Sequence, residues 1–490
     1  MPLMDAEPNK VVRGLSEIPM DAVVAGDARL TAGDALTLYR EASLHQLGRW
    51  STAVAQRIHG PMGSPRTYVI DRNVNYTNVC SASCTFCAFF RREGDDDAYV
   101  LSHEQLHQKV AELVDIGGTQ VLLQGGMHPG LGLQFYVDML GGLKARFPGV
   151  HLHAFSPPEF VEFVSVLEVE GFPTFEARGA NELPREVWLA KLEVIMRRLK
   201  DAGLDSIPGG GGEIFAEHVR RKIGLGKATA DQWLDVMTTG HRVGFNTSAT
   251  MMFGHIEGVA DRIDHLQRVR DRQDLALRER LPGQTKAFIA WPFQRENTPL
   301  GQLPDFDGES GEPFPGDVLA DMVWAGGVDP WDKRACGRAV PRAGKVVRQA
   351  GANEYLRMQA ISRLFLDNIH SIGSSWVTMG PHIGQLALSF GANDMGSVMM
   401  EENVVSAAGT TYCLSEPVLC RLIRDAGYVP AQRDNAYRML KVHDAADGRA
   451  PDLDVEDWTT QRASALHVET QDGESTPETG GTVELTVGGK

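Results

Sequence analysis

The rhythm of apolar and polar positions changes along the chain. Between residues 31 and 59, Leu36, Tyr39, Leu44, Leu47, Val54 and Ile58 recur at helical spacing. Thr31 is placed to cap that helix, and Gly60-Pro61 ends it. Residues 1–28 show little pattern and read as a loose leader. From residue 66 short apolar runs alternate with amphipathic stretches. The runs predict strands at 67–70, 120–123, 151–155, 205–207, 247–252, 287–291, 372–377 and 394–399. The stretches between them predict helices at 102–116, 135–147, 183–202, 229–243, 259–278 and 353–368, with Ser102 and Gln105 in capping-box spacing. A further helix is expected at 415–426, with Pro417 in its first turn and Gly427 past its end.

Strand–helix alternation implies parallel strands joined by right-handed crossovers. Eight strands suit an α/β fold of the (β/α)8 TIM-barrel type, full or partial; a doubly wound sheet has the same periodicity and stays open as an alternative. In a barrel the chemistry lies on the loops that follow the strands. The expected organisation is a helical extension over 1–60, the barrel over 61–440 and a disordered acidic tail over 441–490. Insertions fall near 170–181 and 305–352, the second long and rich in Gly, Pro and Asp.

Composition narrows the function. The chain has 490 residues, 42% hydrophobic and 23% charged, as expected for a globular protein. Its net charge of −16 argues against nucleic-acid binding, which needs a basic surface. No apolar run is long enough to span a bilayer, and the acidic start does not read as a signal peptide. A cytoplasmic location is expected.

Three of the six cysteines, Cys80, Cys84 and Cys87, lie within eight residues, directly after the first strand. In a reducing compartment such a group points to metal rather than disulfide. Three thiolates on one loop can hold three corners of a [4Fe–4S] cubane and leave the fourth iron open. A structural zinc site would need a fourth ligand, and no cysteine or histidine stands nearby at suitable spacing.

Other strand ends carry glycines and polar groups. Gly125 and Gly126 follow the second strand, where a backbone can approach a ligand or simply turn. Ser156 and Glu159 follow the third and either face a ligand or cap a helix. Glu213 ends a run of four glycines, 209–212, and either caps a helix or bonds a ribose. His255, between Gly254 and Glu257, is a candidate base or an ordinary loop histidine. Asn393, Asp394 and Glu401, in a late block, either bind substrate or close the barrel.

The C-x3-C-x2-C spacing is that of the radical S-adenosylmethionine (SAM) superfamily. The resemblance implies that SAM chelates the open iron and is cleaved to a 5′-deoxyadenosyl radical. It places Phe86 near the adenine, Gly125 and Gly126 at the methionine, and Gly254 and Glu257 near SAM. It also implies a low-potential electron donor such as flavodoxin or ferredoxin. More narrowly, DRNVNYTN (71–78), FGANDMGS (390–397) and EENVVSAAG (401–409), with stretches spread over most of 50–440, resemble the cyclic dehypoxanthinyl futalosine synthase family of the futalosine route to menaquinone. That family abstracts the C4′ hydrogen of a nucleoside-derived small molecule and closes a ring onto its benzoate. Arg72 and Arg295 then become candidate partners of the benzoate carboxylate, and His128, Glu159, His255 and Asp394 candidate bases. Aminofutalosine synthase and an FO-synthase half share these motifs. From a different class, an iron–sulfur electron-transfer or sensor protein would use the cluster without cleaving SAM.

Overall fold

Among the described residues, a sheet of parallel strands forms the body of the protein. The structure, a computed structural model, describes residues 13–173, 183–304, 347–401, 403–409 and 412–444. Of the tail expected over 441–490, residues 441–444 are described and begin in a strand rather than disorder; the rest of the tail, most of the insertion near 170–181 and nearly all of that near 305–352 lie outside the described residues. Pairing runs from Asp71–Val74 through Gln120–Leu123, His151–Ala154, Ser206–Ile207, Asn246–Phe253, Thr285–Pro292 and Ser371–Gly373 to Asp394–Ser397. That last strand pairs in turn with Pro65–Val69. Residues 65–74 form one segment interrupted at Ile70, so a single stretch of chain takes both ends of the sheet and the sheet curls on itself.

Beyond the expected strands, Val429–Arg433 adds in parallel to Pro65–Val69, and Met439–Val442 follows antiparallel. Two side chains tie this strap to the start of the second stave. Gln432 Nε2 donates to Gly117 O at 3.1 Å, and Asn435 Nδ2 donates to Gln120 Oε1 at 2.6 Å.

The helices behave largely as their periodicity predicts. Ser102 and Gln105 cap His103–Asp115 reciprocally, at 3.3 and 2.8 Å. The stretch 31–59 is two helices rather than one. Ala32–Glu41 is capped by Thr31 with Asp34, and Leu44–His59 by Ser43 with Gln46. The apolar spacing carries across the break, so periodicity alone misses it. Burying a side chain such as Leu38 or Leu47, both fully enclosed, contributes about 2 kcal/mol. The leader is not loose over its described part, because Met20–Ala25 is helical and buries Met20 and Val23.

Two further expectations are corrected. The strand expected at 372–377 stops at Gly373; Ser375 N–H then donates to Tyr355 Oη at 2.7 Å, and Trp376–Met379 is a short helix. The helix Pro157–Val166 is foreshadowed only by Ser156 and Glu159, which form its capping box. Nine of its ten residues are buried, so it shows no amphipathic stripe to read. Its Phe160 and Phe163 join Tyr136 and Phe155 in an aromatic cluster with centroids 4.5 to 6.3 Å apart.

Candidate active site

A cavity of about 460 Å³ occupies the barrel, with the cysteine loop at one end and the strap residues Arg433, Asn435 and Tyr437 at the other. Cys80, Cys84 and Cys87 all line it, as do Phe86, Gly125, Gly126, Ser156, Glu159, Glu213 and Asp394. His128, Gly254, His255, Glu257, Arg72, Arg295, Asn393 and Glu401 do not.

The cysteine loop is pinned on three sides. Cys80 N–H donates to Arg91 O at 2.9 Å, and Ser81 N–H to Met127 O at 2.8 Å. Ser83–Cys84 pairs antiparallel with Gly224–Leu225, and Thr85 N–H reaches Ile223 O at 2.9 Å. Met127 N–H donates to the Cys80 thiol at 3.3 Å. Burial pushes the Cys84 thiol up to about 12, against the pull of Lys227. A bound metal would supply the opposing charge that favours the thiolate.

Glycine is required in the adjoining turns. A Cβ on Gly126 would lie 2.0 Å from Val79 O, and one on Gly125 would lie 2.5 Å from the Tyr76 ring. Glu159 holds this turn. Its Oε1 accepts Tyr76 Oη and Gly125 N–H, at 2.8 and 3.0 Å, and its Oε2 accepts both Ser156 N–H and Ser156 Oγ at 2.7 Å. Burial raises this carboxyl to about 7 although the Ser156 bonds oppose it.

The run 209–212 is gripped through its carbonyls. Thr250 Oγ1 donates to Gly209 O, Trp233 Nε1 to Gly210 O, and Arg220 to Gly211 O and Gly212 O, at 2.7 to 3.1 Å. Gly211 sits at φ +81°, and its Cβ would strike Pro158 at 2.2 Å. Beyond it, Glu213 Oε1 accepts from Lys227 Nζ at 2.7 Å, while the buried Oε2 has no hydrogen-bond partner among the described residues. Lys227 Nζ also lies 4.7 Å from the Phe86 ring centroid. Lys227 was not foreseen from sequence; its only signal was a lysine in the glycine-bearing loop 224–227.

The far end of the cavity is polar. Asp394 accepts a bidentate pair from Arg433, at 2.5 and 2.9 Å, and a bond from Thr67 Oγ1 at 2.5 Å. Asp71 takes Ser397 Oγ and, at 3.0 Å, Gln120 Nε2. Burial raises its carboxyl to about 6, offset in part by Ser397. Sequence reasoning passed over Asp71 because it lies inside a strand rather than on a loop. Arg433 escaped because the strap was not read as part of the barrel.

The remaining candidates serve other contacts. Glu257, His255 and Gly254 form a sealed unit: Glu257 accepts Gly254 N–H at 2.6 Å, His255 N–H at 2.9 Å and Arg262 Nε at 2.8 Å. Burial opposes the charge on Glu257, but His255 and Arg262 hold it down at about 2. His128 Nδ1 accepts Gly130 N–H at 3.0 Å. Arg72 pairs with Glu401, at 2.5 Å, and Glu112, at 2.7 Å. Arg295 donates to Gly301 O and Leu303 O. Asn393 Oδ1 accepts from Arg363 and from Ile372 N–H, at 2.7 and 2.9 Å. Outside the barrel, Cys420 belongs to a buried group with Glu416 and His443, bridged by the Tyr68 hydroxyl.

Residues 74–269 match the Radical SAM superfamily, and 327–446 match the CofH/MqnC C-terminal region. A cyclic dehypoxanthine futalosine synthase of Halalkalibacterium halodurans is 36% identical over 437 residues, covering 89% of this chain and 97% of that one. An aminodeoxyfutalosine synthase of Thermus thermophilus is 33% identical over 443 residues, covering 89% and 100%. The crystal structure of methylornithine synthase has the same fold, with a TM-score of 0.54 at 15% identity over 84% of this chain and 97% of that one.

A radical SAM enzyme uses a [4Fe–4S] cluster and SAM, and the residues here fit that pair. Three thiols face one cavity, beside a turn in which any Cβ would collide and an acid one of whose oxygens accepts no hydrogen bond among the described residues. The chain belongs to the radical SAM enzyme family that includes cyclic dehypoxanthine futalosine synthase.

Proposed function

We propose that the protein cyclises dehypoxanthine futalosine to cyclic dehypoxanthine futalosine in menaquinone biosynthesis. One observation carries the reading: a cavity ringed by strands has the three thiols at one end and a buried polar floor with a raised carboxyl at the other. The match to cyclic dehypoxanthine futalosine synthase over nearly the whole of both chains supports it.

Cys80, Cys84 and Cys87 would hold the cluster. When bound, cluster and SAM supply the 5′-deoxyadenosyl radical that takes the C4′ hydrogen of the substrate ribose. The chain's own residues then bind, orient and exclude water. The Gly125–Gly126 turn, held by Glu159, presents backbone to the methionine end of SAM. Glu213 Oε2 is placed to accept from a hydroxyl, with Phe86 beside it. The surrounding strands and the strap keep bulk water from the sugar radical. After ring closure on the benzoate the ring radical must lose a proton and one electron to regain aromaticity, the electron passing to the electron-carrier system. Asp71 lines the cavity with lone pairs to spare, and its raised carboxyl suits a base near neutral pH. The substrate is a small nucleoside-derived molecule, and electrons come from a flavodoxin or ferredoxin in the cytoplasm. No helix of the described residues is long and apolar enough to cross a membrane.

The test is to incubate the anaerobically reconstituted protein with SAM, dithionite and dehypoxanthine futalosine. Cyclised product with one 5′-deoxyadenosine per turnover is expected. SAM cleavage with this substrate unchanged, and formation of aminodeoxyfutalosine from its own precursor, would shift the assignment to the Thermus-type reaction. An intact cluster without 5′-deoxyadenosine would point to electron transfer or sensing.

A further inference from the structure

The strands Asn246–Phe253 and Thr285–Pro292 do not pair residue for residue. Thr247 faces Thr285 and Ser248 faces Ala287, so Lys286 is an extra residue in the ladder. A bulge of this kind turns a side chain away from its regular alternation and is common beside active sites. Regular alternation puts Ala287, Ile289 and Trp291 on the cavity wall; the bulge adds Lys286 to the same wall.

Lys286 differs from the other cations there. Arg433 is matched by Asp394 and Lys227 by Glu213. Among the described residues no hydrogen bond or ion pair holds the Lys286 ammonium. Both nearby carboxylates of the floor are engaged, Asp394 by Arg433 and Asp71 by Ser397 and Gln120. A partly buried cation without a counter-ion is unfavourable in the empty protein and becomes favourable when a ligand brings the charge. The two arginines that sequence alone put forward for a carboxylate do not line the cavity.

We propose that Lys286 is the anchor for the carboxylate at the benzoate end of the substrate, and so sets the preference for an acid there. The inference rests on the cyclase reading of this cavity. Lysine suits the task because a flexible point charge follows the carboxylate as the ring repositions for attack. The anchor also fixes orientation: with the acid held at the floor, the sugar lies toward the cysteine loop.

The experiment compares dehypoxanthine futalosine with its carboxamide analogue on wild type, K286M and K286R, all reconstituted anaerobically. Wild type is expected to favour the acid by about 100-fold in kcat/KM, and K286M to lose that preference to within a few-fold, mainly through KM for the acid. K286R restores most of it, which a merely structural role for the lysine would not produce. Iron content and thermal unfolding establish that each variant is folded. If folded K286M keeps the wild-type preference, the anchor is overturned. If wild type forms no cyclised product from the acid, the reading of the reaction fails, and the anchor with it.

Discussion

The Tyr76 hydroxyl and the Gly125 backbone amide converge on one oxygen of Glu159, at 2.8 and 3.0 Å. The other oxygen is taken by Ser156. Glu159 is therefore a strut under the glycine turn, not a free base. Glu159→Gln places an amide N–H against one of these donors and leaves a buried group unsatisfied. KM for SAM is expected to rise about tenfold or more, with iron content unchanged. A rise confined to the KM of the cyclisation substrate would contradict the role.

The cysteines make a stricter prediction. Cys80→Ala, Cys84→Ala and Cys87→Ala each remove one of the three proposed ligands on a loop whose backbone is held by Arg91, Met127 and Ile223. Each variant should keep its fold and lose its iron and its SAM cleavage. Iron analysis and circular dichroism check this, and a variant retaining full iron would mean that another residue ligates.

Asp71 predicts a pH dependence. Its carboxyl is raised from 3.8 to about 6, so it is charged and able to accept a proton only above that value. The rate of cyclisation should climb through pH 6 and level off above it. Asp71→Asn should lower kcat about a hundredfold or more and abolish that limb. Retention of the limb in the variant would assign it to another group.

Glu257 predicts a stability effect of opposite sign. Its carboxyl is lowered from 4.5 to about 2, so its contribution is complete above pH 4.5 and disappears as pH falls toward 2. Glu257→Gln should cost roughly 3 kcal/mol at pH 7, with the gap from wild type narrowing below pH 4.5. Urea unfolding at several pH values measures both.

Much of this architecture is legible from periodicity, because strand and helix differ in period and the strand ends carry the glycines. What periodicity cannot supply is which strand end reaches the cavity. Gly254, His255 and Glu257 stand at a strand end beside Phe253, as Gly125 and Glu213 do at others, yet Arg262 and Ala350 seal them into the wall. Lys286 was invisible because a bulge is a relation between two strands, and one strand's pattern does not contain it. Asp71 and Arg433 meet the same polar network although 362 positions apart in chain order, a closeness that only the curl of the sheet creates.

The strap that pairs beside Pro65–Val69 is among the last described segments to leave the ribosome. Until it arrives, the nascent protein has Cys80, Cys84 and Cys87 but no Arg433 to neutralise Asp394 and no Tyr437 under the cavity. A chain cut short before residue 429 would therefore be a vessel with its metal fittings in place and its base open, ready to bind iron yet unable to keep a radical dry.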